Sequence, residues 1–99
     1  MAASVAQHFT RQMGLTLEEF LRSLPAAVQP LEYRIQGRHI LITHPQGHIE
    51  IQLHPTGERR IASLVIPATP VEFSFTGLNE AQRCHFMSRF DRYFHRGGG

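Results

Sequence analysis

The stretch that decides the fold is Leu31–Leu53, LEYRIQGRHILITHPQGHIEIQL. Leu31, Tyr33 and Ile35 alternate with Glu32, Arg34 and Gln36. That period of two is the mark of a strand with one buried face. The phase reverses after Gly37, where Ile40 and Ile42 become the apolar positions. A reversal at glycine means a bulge inside one long strand or a tight hairpin. Pairing Ile35 with Ile40 and Tyr33 with Ile42 favours the hairpin. HPQGH, residues 44–48, reads as the next turn. A loop over Pro45–His48 predicts Ile42 opposite Ile51 and Ile40 opposite Leu53, with the apolar set on one face. The same register sets His39 opposite His54 on the other face.

Working outward, helical periodicity flanks this core of strands. In residues 2–13, Val5, Phe9 and Met13 are spaced by four, which predicts a short helix stopped by Gly14. LTLEEFLRSLP follows. Thr16 and Glu19 form a capping box, Leu15 and Phe20 a hydrophobic staple, and Glu18 and Glu19 complement the positive helix end. Leu17, Phe20, Leu21 and Leu24 make one apolar face, and Pro25 marks the exit. Beyond the strands, PTGERR reads as a turn and RIASLVIP as a strand apolar on both faces. Pro67 and Pro70 bound a short link. VEFSF then alternates, with Val71, Phe73 and Phe75 inward. Asn79 caps the last helix with Gln82 at the box position, and Phe86, Met87, Phe90, Tyr93 and Phe94 form its buried stripe.

The patterning predicts one α+β domain of two layers. A helical segment spans residues 1–25, an antiparallel meander of four or five strands residues 31–76, and a C-terminal helix residues 79–96. Residues 97–99 form a mobile glycine tail. The helices cover one face of the sheet.

Composition narrows the function classes. The chain has 99 residues, 41% hydrophobic and 18% charged, which describes a globular domain. No apolar run approaches the roughly 20 residues that span a bilayer. The start lacks the basic and apolar regions of a secretory signal. One cysteine, Cys84, permits no intrachain disulfide and suits a reducing compartment, so a cytoplasmic location is expected. All ten basic residues are arginine, the pattern of a GC-rich bacterial genome. Seven histidines accompany a net charge of +2.

Three constellations could carry function. On the last helix, His85, Arg89, Arg92 and Arg96 fall within about 60° of arc. They make either a solvated helix face or a row of donors for phosphates or carboxylates. His39 and His54, if opposite each other, supply two metal ligands, but zinc needs three or four. Leu41, Ile61 and Val65 break the polar pattern of the outer sheet face and are interface candidates. Cys84, Ser88, Asp91 and His95 share a helix flank, but Cys84 and His95 lie about 16 Å apart along the axis, too far for a nucleophile and its base. No catalytic residue and no cofactor is indicated. The residues favour a non-enzymatic interaction module whose partner is another protein or a second copy, self-associating through an apolar sheet patch. The second reading is a nucleic-acid or anion binder using the arginine row, and the third a histidine-based metal binder.

Overall fold

The computed structural model describes residues 4–98, and the side chains of residues 4–94. The elements are β1 (His8–Met13), α1 (Leu17–Val28), β2 (Glu32–Gln36), β3 (His39–His44), β4 (Gly47–Leu53), β5 (Gly57–Ile61), β6 (Leu64–Thr76) and α2 (Glu80–Gly98). Five strands form an antiparallel sheet in the order β1-β6-β4-β3-β2, and β5 pairs with the first part of β6. The α+β architecture is the one the patterning predicts.

One sheet face carries the core. Ile40, Ile42, Ile49, Ile51, Val71 and Phe73 have no exposed surface, and Phe20, Leu24, Ala27 and Val28 of α1 close over them. From α2, Phe86, Met87, Phe90 and Phe94 complete the layer. Rings form a continuous column through it. Phe9 stacks on Phe73 at 4.9 Å, Phe73 meets Phe90 edge-on at 5.2 Å, and Phe94 lies 4.3 Å from Phe90 and 4.8 Å from Phe20. Both expected capping boxes are formed. The Glu19 N–H donates to the Thr16 hydroxyl and the Gln82 N–H to the Asn79 side chain, each with its reciprocal bond.

The hairpin at Gly37 is formed as expected, with Tyr33 opposite Ile42 and Ile35 opposite Ile40. Gly37 has φ +61°, which glycine adopts without steric cost. The next register differs from expectation. The turn is only Pro45–Gln46, so Ile42 faces Ile49, Ile40 faces Ile51, and His39 faces Gln52 rather than His54. Gly47 is what admits this tight turn. A Cβ there would overlap the Thr76 carbonyl oxygen, where the turn packs on the end of β6.

Five further expectations are corrected. Within the described residues, the N-terminal segment is strand β1, not a helix; Ala2 and Ala3 lie outside them. A spacing of four is even, so Phe9 and Met13 share a face in a strand as in a helix. Arg11 sits between them on the same inner face and masks the alternation. Its guanidinium lies 5.7 and 5.6 Å from the rings of Phe9 and Phe73 and pairs with Asp91 of α2 at 2.7 Å. Second, α1 continues past Pro25 for most of a turn, because this buries Ala27 and Val28. Third, RIASLVIP is not one strand. It turns at Ala62–Ser63, the GERRI segment is strand β5, and Pro67 and Pro70 lie inside β6. Fourth, Tyr93 is 36% exposed rather than part of the buried stripe. Fifth, α2 runs to Gly98, beyond the expected end at residue 96; Gly99 lies outside the described residues.

Candidate functional site

The most unusual feature is an arm. β5 and the first residues of β6 project from the body as a two-stranded ribbon, Gly57–Ile61 against Leu64–Ala68. Among the described residues β5 pairs with β6 alone, so its other edge is open. At the tip, Ile61 is 47%, Leu64 64% and Val65 47% exposed. Directly opposite residues share a face. One face therefore carries Ile61, Leu64, Arg59 and Ile66, and the other Glu58, Arg60, Val65 and Pro67. Ala62 turns the tip at φ +56°, where a side chain is strained. The base is fixed to the body. Thr69, fully buried, donates its hydroxyl to the Leu15 carbonyl at 2.6 Å and so accepts from Thr56 at 2.7 Å.

This arrangement relocates two of the three interface candidates. Ile61 and Val65 belong to the arm and not to the main sheet. Leu41 stays on the outer sheet face, half-buried, flanked in register by Arg34 and Glu50. Leu64, more exposed than either arm residue singled out from the sequence, was hidden because the turn at Ala62–Ser63 contains no glycine, asparagine or proline.

The arginine row divides. His85 and Arg89 line a pocket between α2, the end of α1 and the β3–β4 turn, and His44 joins them there. Its volume is about 200 Å³, and Val28, Leu31 and Phe86 supply apolar walls. Arg92 is exposed and lies outside this lining, and the side chain of Arg96 falls outside the described residues.

The outer sheet face is not covered by either helix and carries a cluster of His8, His39 and His54 around Glu50 and Glu72. His39 lies 3.5 Å from the Glu50 carboxylate. His54, just past β4, reaches one oxygen of Glu72 at 2.9 Å, while His8 of β1 reaches the other at 2.5 Å. These hydrogen bonds, that from His54 first, hold the Glu72 carboxyl below the usual carboxylate range. The two-residue register shift thus separates the expected His39–His54 pair. Among the described residues no group of three His, Cys, Asp or Glu side chains is placed to hold a metal ion. On α2, Asp91 is engaged by Arg11, and the side chain of His95 is outside the described residues.

No match was found. Neither a protein-family model, nor a curated protein, nor a solved structure is similar to this chain at a significant level. Among the described residues no helix is long and apolar enough to cross a membrane.

Proposed function

We propose that the protein is a non-enzymatic interaction module that self-associates through the β5–β6 arm. The observation that carries this reading is the open β5 edge beside exposed Ile61, Leu64 and Val65. An isolated two-stranded ribbon is marginal in water, and an open edge offers a ready template for another strand. Charges on an edge ordinarily discourage pairing. Here their order favours a second copy. In a two-fold antiparallel pairing centred on Arg59, each Glu58 falls opposite Arg60 of the other copy, on the same face. Arg59 meets its own equivalent at the axis on the opposite face, which costs part of that gain. The result is a small, reversible interface rather than an obligate one. The single cysteine and the all-arginine basic set fit a bacterial cytoplasmic setting.

The charge order supplies the test. Glu58→Arg alone and Arg60→Glu alone each place like charges across the axis, so each variant is expected to be monomeric. Mixing the two variants restores both opposite-charge pairs, and a heterodimer is expected by sedimentation velocity. If the single variants dimerise as the wild type does, or the mixture stays monomeric while the wild type dimerises, this pairing is wrong.

A further inference from the structure

The pocket beside α2 brings together one guanidinium and two imidazole side chains from two separate elements. His44 ends β3, and His85 and Arg89 lie one turn apart on α2. No carboxylate lines the pocket. The backbone N–H of Gln46 donates to His44 Nδ1 at 3.0 Å. Neutral His44 therefore carries its proton on Nε2, which leaves that nitrogen as a donor. Arg89 is half-buried and His85 exposed, and neither has an ion pair or hydrogen bond among the described residues. By contrast, Arg11 and Arg83 are both engaged, Arg11 by Asp91 and Arg83 by the carbonyls of Val5 and Leu78. A half-buried guanidinium with no counter-charge among the described residues, in a pocket with apolar walls, is a donor set awaiting an anion.

Size and wall chemistry define that anion. A cavity of about 200 Å³ is somewhat larger than the roughly 150 Å³ that holds benzene. Val28, Leu31 and Phe86 offer such a body apolar walls, and the donors line the same pocket. A bare phosphate would leave these walls unused, and a neutral hydrocarbon would leave the donors unused. We propose that this pocket binds a small aryl or alkyl carboxylate. Arg89 clamps the carboxylate, His44 and His85 donate to it, and Val28, Leu31 and Phe86 enclose the apolar part. The site is separate from the arm and does not depend on self-association.

Three probes test it in an NMR titration of the full ¹⁵N-labelled chain: sodium benzoate, benzyl alcohol and inorganic phosphate. Benzoate is expected to give saturable shifts confined to residues 27–31, 44–47 and 85–89, with a dissociation constant on the order of 1–10 mM for so few heavy atoms. Benzyl alcohol, which keeps the ring and loses the charge, is expected to bind at least about tenfold more weakly. Phosphate is expected to produce no saturable shift there. Arg89→Gln is expected to weaken benzoate about tenfold and leave benzyl alcohol unchanged. His85→Gln, an exposed change, is expected to weaken benzoate by a smaller factor. Three results would overturn the proposal: benzyl alcohol binding as well as benzoate, phosphate binding as well as benzoate, or no saturation by benzoate below about 50 mM. Unchanged benzoate binding in both variants would overturn it as well.

Discussion

Phe90→Ala tests the packing that holds the two layers together. Phe90 has no exposed surface and touches four other rings, with centroids at 4.3 Å from Phe94, 5.2 Å from Phe73, 5.9 Å from Phe20 and 6.0 Å from Phe86. It joins α2 to both α1 and β6. Truncating a buried phenylalanine costs about 3–5 kcal/mol through lost transfer free energy and the cavity left behind. Edge-on and stacked ring contacts add about 0.5–1.5 kcal/mol per pair, which places Phe90 at the upper end. A domain of this size has roughly 5–15 kcal/mol of stability. With a urea m-value of about 1–1.5 kcal/mol/M, the midpoint should fall by roughly 2–5 M. Phe90→Leu, which keeps most of the volume, should cost only about 1–2 kcal/mol. Arg92→Ala, on the exposed side of the same helix, should change stability by about 0.5 kcal/mol or less. A Phe90→Ala midpoint within about 0.5 M of the wild type, or equal losses for Phe90→Ala and Arg92→Ala, would refute the assigned faces of α2.

Other perturbations have distinct signatures. Ala62→Gly relieves the φ +56° strain at the arm tip and should slow amide exchange across the β5–β6 ladder by about threefold, read by hydrogen exchange. Gly47→Ala drives a Cβ into the Thr76 carbonyl and should destabilise by at least about 2 kcal/mol in urea unfolding, whereas Gly57→Ala, whose Cβ would meet the Ala68 carbonyl oxygen only at an ordinary contact of 3.9 Å, should not. Glu72 titrates below its ordinary value of 4.5 in the folded chain, so the unfolded chain binds the proton first as pH falls. Its contribution is present above that ordinary value and is lost as pH falls through the lowered one. Glu72→Gln should therefore show a shallower loss of stability below about pH 4.5 than the wild type, seen in urea midpoints measured against pH.

Particular residues explain what could be read from the sequence and what could not. The alternation over Tyr33–Ile42 favours a hairpin over a bulged strand, and within the hairpin slipping by one residue would turn every side chain to the wrong face. Slipping by two does not. Ile42 opposite Ile49 and Ile42 opposite Ile51 both keep apolar residues inward, and only the Pro45–Gln46 turn chooses between them. β1 was hidden because Arg11 occupies an inward position on the strength of the neighbouring Phe9 ring and of Phe73 and Asp91, both more than sixty residues away in sequence. The arm was hidden because alanine and serine rarely signal a hairpin turn. His85 and Arg89 were legible as neighbours on one helix face. That they face a pocket was not, because its opposite wall comes from residues 27–31 and from His44, placed there by tertiary packing.

The most direct test of the central claim is sedimentation equilibrium on the wild-type chain and on Ile61→Asp, from about 10 to 200 µM at neutral pH. Self-association through the arm predicts that the wild-type mass rises with concentration towards twice the 11.3 kDa of one chain. Ile61→Asp places a charge at the arm tip and should stay at 11.3 kDa throughout, with an unchanged circular dichroism spectrum. A wild-type mass of 11.3 kDa at every concentration, or an Ile61→Asp chain that associates as the wild type does, would contradict it.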